Sequence, residues 1–267
     1  MRALLLMFLC AQLTMAQDMR FGAHSAALGG QRTLVQDAAG TVFLNPAVLM
    51  SAPQWSFWAT YLRPFQLPGL HSQAIAANLT ARHVAIAAGA AQWGNLLYRE
   101  RLLRMAFACP VTSRLVLGLA IQQRTVEIER YGRYGQWTGD FGARVRLSHR
   151  AELGILIRNA IYRRSASLQE TPRREVMTGL VVSFPMHLRV FAELARETGF
   201  EPEFRLAVEL RPISYLSLQA GSGFNTPEEF ALGLSLNMAV FRLHYAVTSH
   251  PVLPMTHVFA LWFGSVP

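Results

Sequence analysis

Residues 241–248 read Phe-Arg-Leu-His-Tyr-Ala-Val-Thr, so that large apolar side chains alternate with polar or small ones. The apolar set occupies the odd positions, whereas Arg242 and His244 stand among the even ones. In an extended strand, successive side chains point to opposite faces. This stretch therefore predicts a β-strand with one apolar face and one polar face.

The same period of two recurs in residues 140–147 and 203–211 and continues from Gln54 towards the end of the chain. Glycine, proline and polar clusters divide this region into about fourteen segments, most of them long enough for a tilted strand to cross a bilayer. We expect strands at about 54–64, 70–81, 83–93, 98–110, 114–127, 137–147, 151–160, 175–184, 188–197, 203–211, 215–222, 229–236, 239–249 and 256–264.

The predicted connections alternate between short turns and longer links, among them 127–137 and 161–175. Outer-membrane barrels have short periplasmic turns and longer outer loops, and an even number of strands returns both ends to the periplasm. A strand set in lipid must also close, because unpaired backbone groups are costly there. We expect an all-β fold in which residues 54–267 form a closed antiparallel transmembrane β-barrel in the bacterial outer membrane. A soluble periplasmic β-sandwich would also show alternation and stays open as another fold class.

The composition agrees with a barrel that has lipid on its outer face and packed protein on its inner face. Hydrophobic residues make up 52% of the 267 residues and charged ones 15%, whereas a soluble domain has about 25% charged residues. The net charge of +9 comes from arginine alone, since the chain contains no lysine. Because the arginines are spread along the chain, nucleic acid is not an expected partner. Pairing with the phosphates of outer-membrane lipid and a coding bias towards arginine remain open explanations.

The first 16 residues have the form of a secretory leader, with a charged start, a short apolar core and a small-residue cleavage site. Cleavage would leave Gln17 as the first residue and Cys109 as the single cysteine, so no intramolecular disulfide is expected. Lipid attachment at Cys10 is an alternative, although Leu9 stands where a small residue is wanted.

Residues 17–53 lack the period of two and are rich in glycine and alanine. This segment precedes the first strand and so has the lumen of a closed barrel within reach. We expect it to form a short N-terminal plug. The alternative is that Asn45-Pro46 only forms a tight turn into the first strand.

Three motifs within this segment suggest local geometry. Gly29 and Gly30 permit close backbone approach or positive φ. Asp37 is suited to cap a turn or a short helix by accepting backbone N–H groups. Asn45 is suited to the N-cap position, with Pro46 in the first helical turn.

The motifs Ala26–Gly30, Asp37–Gly40 and Asn45–Ala47 resemble the N-terminal hatch of FadL-type fatty-acid transporters, and more closely the PorV and PorQ branch of that superfamily. The end of the chain, from Tyr245-Ala246 to Thr256-His257, resembles the closing strands of that branch. The resemblance implies a non-enzymatic accessory of type IX-like protein secretion or cell-surface assembly, with secretion-system proteins as partners. The alternative function is a transporter for a hydrophobic small molecule such as a fatty acid.

The polar positions of the predicted strands give a set of charges that we expect to face the lumen. An apolar lumen with a lateral gap would favour the transporter, whereas a polar and sealed lumen would favour the accessory role. Such a set can form a network of ion pairs that seals the lumen, which favours the accessory role. It comprises Arg144, Arg146, Glu193, Arg205, Glu209, Arg211 and Arg242.

The usual hydrolase, zinc and nucleotide-binding motifs are absent from the sequence, so we expect no catalytic residue, metal or cofactor. A barrel phospholipase is an open alternative, since His244, His250 and His257 lie near Ser249 in sequence. Residues 131–137 mix aromatic side chains with arginine, which suits either a sugar or lipid-headgroup site or an aromatic girdle.

Overall fold

The computed structural model describes residues 22–163, 172–225 and 230–265. The predicted leader lies outside the described residues. The described chain forms fourteen strands: β1 (Trp55–Arg63), β2 (His71–Thr80), β3 (Ala85–Gly94), β4 (Tyr98–Pro110), β5 (Leu115–Ile128), β6 (Gly132–Arg146), β7 (Ala151–Arg163), β8 (Glu175–Phe184), β9 (Leu188–Glu197), β10 (Glu203–Ile213), β11 (Leu216–Phe224), β12 (Phe230–Asn237), β13 (Phe241–Thr248) and β14 (Thr256–Gly264).

Each strand pairs antiparallel with its neighbours in sequence, and the ring closes where β1 pairs with β14. The closing register runs from Ser56 opposite Gly264 to Arg63 opposite His257. A closed ring leaves no unpaired edge, which is the condition for a sheet in lipid. The predicted closed antiparallel barrel is confirmed.

The wall has an apolar outer face and a buried inner face. On β13, Leu243 is 42% exposed whereas Ala246 is fully buried, as the alternation along this strand predicts. The same contrast holds on β14, where Phe259 is 53% exposed and Ala260 is buried. Apolar side chains that point away from a closed barrel are solvated by lipid. This is an outer-membrane protein, as predicted.

Helical structure is confined to short pieces. An α-helix, α1 (Ala23–Ala27), and two 3₁₀ helices, Ala38–Phe43 and Pro46–Ser51, precede β1, and a 3₁₀ turn at Pro64–Gln66 follows it. None of the helices in the described residues has the length and apolar character needed to cross a membrane.

Two predicted strand ends were wrong. The predicted long link 127–137 is mostly strand, because β5 continues to Ile128 and β6 begins at Gly132. Cross-strand pairing with β5 keeps Gly132 and Gly135 in the ladder despite their low strand propensity. All of the candidate headgroup segment 131–137 except Tyr131 therefore belongs to the first part of β6, with Trp137 half exposed. β7 likewise continues to Arg163, and residues 164–171 lie outside the described residues.

The two ends of the barrel differ. The short-turn end contains the start of β1, the end of β14 and the turns 81–84, 111–114, 147–150, 185–187, 214–215 and 238–240. The opposite end, the long-loop end, contains the connections 64–70, 95–97, 129–131, 198–202 and 249–255. The lengths agree with a periplasmic location for the short-turn end.

Cysteine labelling tests this orientation. In a Cys109→Ala background, we expect Tyr131→Cys at the long-loop end to react with an impermeant thiol reagent on intact cells. Ser214→Cys at the short-turn end should react only after the outer membrane is permeabilised. Both residues are exposed on the protein surface, so a difference in labelling between them reports on the membrane barrier. The opposite labelling pattern would show that the barrel is inverted.

Candidate functional site in the barrel lumen

Residues 22–53, which we call the hatch, lie inside the barrel. Most of them are buried and none is exposed, although they belong to no strand. α1 packs on β11 to β14, and the two 3₁₀ helices pack on β1 to β6. The hatch therefore contacts inward-facing side chains around much of the ring.

Seven glycines on the inner face of the wall make room for the hatch. A Cβ atom built on any of them would lie within 3 Å of a hatch atom. At Gly221 that atom belongs to the backbone of Leu28 or Gly29, and at Gly154 to Leu34. Two pairs are direct cross-strand partners, Gly118 with Gly142 and Gly154 with Gly179. The full set is Gly89, Gly118, Gly142, Gly154, Gly179, Gly221 and Gly233.

Asn45 holds the central part of the hatch. Its side-chain oxygen accepts a hydrogen bond from Ala47 N at 3.0 Å, which makes it the N-cap of the helix Pro46–Ser51. Its amide nitrogen donates to the carbonyl of Thr33 at 2.8 Å and to that of Ala143 at 3.2 Å in the wall. The motif thus joins two hatch segments to β6. Gly29 and Gly30 have φ of 69° and 79°, a conformation that favours glycine.

Glu193 on β9 binds the hatch backbone. One carboxylate oxygen accepts hydrogen bonds from Arg32 N at 2.8 Å, Thr33 N at 2.8 Å and Thr33 Oγ1 at 2.7 Å. The other oxygen pairs with Arg205 Nη1 on β10 at 2.9 Å, and both charged side chains are fully buried. Arg205 also pairs with Glu203 and donates to the carbonyl of Gly30 at 3.3 Å. A buried carboxylate with this many donors is satisfied despite the cost of its desolvation.

His24 in α1 makes a second contact with the same part of the wall. Its Nε2 lies 3.1 Å from Glu209 Oε2 on β10, and its Nδ1 lies 3.0 Å from the carbonyl of Gln36. Both neighbouring oxygens are hydrogen-bond acceptors. The ring also stacks on His244 with a centroid distance of 5.2 Å. Glu209 and Glu193 therefore fix two separate parts of the hatch to β9 and β10.

The remaining predicted lumen charges lie towards the short-turn end. Arg144 forms a bidentate pair with Glu152 at 2.7 and 3.0 Å, and also donates to Ser51 in the hatch. Arg146 lies 4.0 Å from Glu152 and is half exposed at the rim. Arg211 lies 3.9 Å from Glu209, and the Arg242 guanidinium lies over the Trp262 ring at 5.7 Å. All seven lie on the inner face of the wall or at its rim.

The alternating pattern did not single out a buried ion pair that joins β4 and β6. Arg104 Nη1 on β4 lies 2.5 Å from Asp140 on β6 and 2.7 Å from Gln122 on β5, and Nη2 donates to the carbonyl of Leu44 at 3.3 Å. Arg104 therefore binds the hatch as well as the wall.

Asp37 precedes the helix Ala38–Phe43 without capping it through its side chain, so the predicted capping role was wrong. The Thr41 hydroxyl instead accepts the hydrogen bond of Asp37 N at 3.0 Å. Burial raises the pKa of the Asp37 carboxyl above its ordinary value, against the opposing charges of His24 and Arg242.

The lumen has two chemically different sides. Strands β9 and β10 carry the buried ions Glu193, Arg205 and Glu209. Strands β2 to β4 lie half-way around the ring and present mainly small apolar side chains, which pack on Val42, Phe43 and Leu49 of the hatch. We call this set the alanine face: Ala74, Ala76, Ala85, Ala87, Ala91, Ala106 and Ala108.

The ladder between β6 and β7 is interrupted. Gly139 faces Ile161 and Phe141 faces Ile157, so Asp140 alone stands opposite residues 158–160. Asn159 in this bulge has φ of 53°, and its N–H donates to Asp140 Oδ1 at 2.8 Å. The irregular stretch thus lies beside the Arg104–Asp140 pair. Bulges of this kind re-aim side chains and locally disrupt the ladder.

The side chains considered for a phospholipase do not converge. His244 hydrogen bonds Ser235 Oγ at 2.7 Å inside the lumen, whereas His257 hydrogen bonds the Tyr245 hydroxyl at 2.7 Å. Ser249 Oγ accepts a hydrogen bond from Phe230 N. Across the described ranges, no group of histidine, cysteine, aspartate and glutamate side chains is arranged to hold a metal ion.

Comparison with known proteins identifies the fold. No family model and no curated protein matches the chain. Among solved structures, the chain is similar to the CymD monoaromatic hydrocarbon channel, with TM-score 0.73 and 12% identity over 92% of this chain and 98% of that one. It is also similar to the Ralstonia pickettii toluene transporter TbuX, with TM-score 0.68 and 13% identity over 92% and 98%. A Pseudomonas aeruginosa FadL homologue aligns with TM-score 0.58 and 10% identity over 90% and 97%. The shared feature is the FadL-type barrel fold.

Proposed function

We propose that this outer-membrane barrel is a non-enzymatic transporter for a hydrophobic small molecule, and that the molecule passes when the hatch moves. The observation that carries the proposal is the position of the hatch. It fills the lumen but adds no strand to the wall, which closes through β1 and β14 without it. Movement of the hatch therefore does not require the barrel ladder to break.

The contacts of the hatch favour one direction of movement. Towards β9 and β10 it is held by charge-assisted hydrogen bonds to Glu193 and Glu209, which are stronger than neutral ones. Towards the alanine face its contacts are apolar, apart from the hydrogen bond of 3.3 Å that Arg104 donates to the carbonyl of Leu44. We infer that residues 42–49 leave the alanine face while Thr33 stays bound to Glu193.

The hydrophobic character of the substrate follows from the surface that this movement would expose. The alanine face offers small apolar side chains, along which a hydrophobic molecule loses no hydrogen bond to water. The names of the structural neighbours, a monoaromatic hydrocarbon channel and a toluene transporter, agree with such a substrate. The interruption between β6 and β7 offers a second place at which the wall itself can yield.

A disulfide across the alanine face tests the proposal. A Cβ atom at Gly89 would lie 2.9 Å from Val42 Cγ1. Since a cysteine at position 42 can place its Sγ where Cγ1 now lies, the two cysteine side chains are close enough to form a disulfide. In a Cys109→Ala background, the oxidised pair Val42→Cys with Gly89→Cys should abolish most uptake of radiolabelled toluene or oleate by cells. Reduction of the disulfide should restore uptake.

A disulfide on the charged side is the matched control. A Cβ atom at Gly179 would lie 3.0 Å from Thr33 Cβ, so Thr33→Cys with Gly179→Cys links parts that we expect to stay together. Uptake through this variant should persist under oxidation. The proposal would be overturned by equal uptake in the oxidised and reduced alanine-face pair, or by no uptake of either probe above that of cells lacking the protein.

The accessory role in protein secretion is the second candidate. It is favoured by the buried ion pairs, since Arg205 with Glu193 and Arg104 with Asp140 leave the lumen polar and filled. It differs from the transporter in needing no hatch movement. Under the accessory role, neither disulfide would change cell-surface assembly of secreted proteins, and the toluene and oleate probes would not enter.

A further inference from the structure

The turns at the short-turn end of the barrel carry only positive charge. Its six turns contain Arg82, Arg114 and Arg150 together with three histidines, and none of the turns contains aspartate or glutamate. All residues of these turns are described, and the three arginines are exposed. The histidines are His83, His149 and His187.

These arginines have no carboxylate partners in the part of the chain that the structure describes. Within the described residues, Arg82, Arg114 and Arg150 form no ion pair. The long-loop end carries carboxylates beside its arginines, such as Glu127 at 4.0 Å from Arg101 and Glu197 at 3.5 Å from Arg173. The three guanidinium groups are therefore available to bind an anion from outside the protein.

The surface beside these arginines is strongly apolar. Leu79 is 61% exposed at the end of β2, and Phe107 is 45% exposed near the end of β4. Leu147 and Met186 are exposed within the turns themselves. These apolar side chains lie at the level of the lipid acyl chains, and the arginines of the turns lie beyond them, where the lipid phosphates are found.

We propose that Arg82, Arg114 and Arg150 bind the phosphate groups of anionic phospholipids in the leaflet that surrounds the short-turn end. They lie on three successive turns, β2–β3, β4–β5 and β6–β7, and so follow the perimeter of the barrel, where lipid is the neighbouring molecule. Guanidinium groups bind phosphate through two parallel hydrogen bonds. The inference does not depend on transport.

Lipid retention in native mass spectrometry tests this site. The full barrel, reconstituted in nanodiscs of phosphatidylcholine with phosphatidylglycerol and then released, should retain phosphatidylglycerol in preference. The triple variant Arg82→Gln, Arg114→Gln and Arg150→Gln should lose most of that preference, since each basic side chain near an anionic surface contributes roughly fivefold in affinity. Both leaflets contain the anionic lipid, so the orientation of insertion is immaterial.

The matched control removes three arginines from the opposite end. Arg63→Gln, Arg99→Gln and Arg133→Gln make the same change in net charge and should leave the preference intact. Equal loss of phosphatidylglycerol from both triple variants, or no preference in the parent protein, would overturn the proposal. It would also be overturned if soluble glycerol phosphate displaced the retained lipid, because the site would then bind a free anion and not a leaflet.

Discussion

Gly142→Val is expected to expel the central part of the hatch while the barrel stays closed. A Cβ atom at this position would fall on the side-chain oxygen of Asn45 and lie 2.9 Å from Pro46 Cδ. Asn45 is fully buried and also bonds Thr33, so it has no free space into which to retreat. Overpacking of this kind costs about 1–3 kcal/mol or more, and displacement of the hatch relieves it without breaking the ladder.

Two measurements separate expulsion of the hatch from failure of the barrel. Amide hydrogen exchange in residues 22–53 should become fast, whereas exchange in the strands should stay slow. Solute entry into liposomes should rise, and heat-resistant migration in detergent should persist. Retention of slow exchange in residues 45–49 would mean that the wall yields instead of the hatch.

Gly135→Val is the control in the same strand. A Cβ atom there would meet nothing closer than the carbonyl of Arg124 at 3.8 Å, so exchange and permeability should not change.

A second control measures whether the effects of two substitutions are additive. Asn45→Ala removes the oxygen with which the new side chain overlaps, so the double variant with Gly142→Val should be less damaging than the sum of the two single changes.

The strands could be predicted from the sequence because their signals are local. Residues 241–248 alternate between lipid and lumen, and β13 spans these residues in the structure. β6 was predicted too short because its outer part is stabilised by β5, through pairs such as Gly135 with Thr125. Such pairing depends on register, which the composition of residues 131–137 does not reveal.

The lumen could be predicted only in part, for the same reason. The cap by Asn45 joins residues two positions apart, so the motif itself indicates it. The contact of His24 with Glu209 spans 185 positions, and that of Thr33 with Glu193 spans 160, beyond any local pattern. The glycines of the wall can be recognised in the sequence. Gly118 and Gly142 take inward positions in strands whose side chains alternate between lipid and lumen, and a glycine there indicates that another backbone approaches closely.

Glu193→Ala should detach the hatch from the charged side and also weaken the wall. The change removes the acceptor of Arg32 N, Thr33 N and Thr33 Oγ1 and leaves the buried Arg205 with Glu203 as its partner. Loss of one partner of a buried pair costs about 3–5 kcal/mol. We expect faster hydrogen exchange in the hatch and a lower unfolding temperature of the barrel in detergent. Glu127→Ala, which breaks the half-exposed pair with Arg101, should cost less than about 1 kcal/mol.

A double replacement distinguishes the two roles of Glu193. Arg205 stands directly opposite it in the ladder, so Glu193→Leu with Arg205→Leu exchanges a buried ion pair for an apolar one, a change that is often neutral for stability. The unfolding temperature should therefore recover towards that of the parent protein. Hydrogen exchange in the hatch should not recover, because leucine cannot accept hydrogen bonds from Thr33 and from the backbone of Arg32. Recovery of both would show that Glu193 serves the wall alone and that other contacts, such as those of Asn45 and His24, hold the hatch in the lumen.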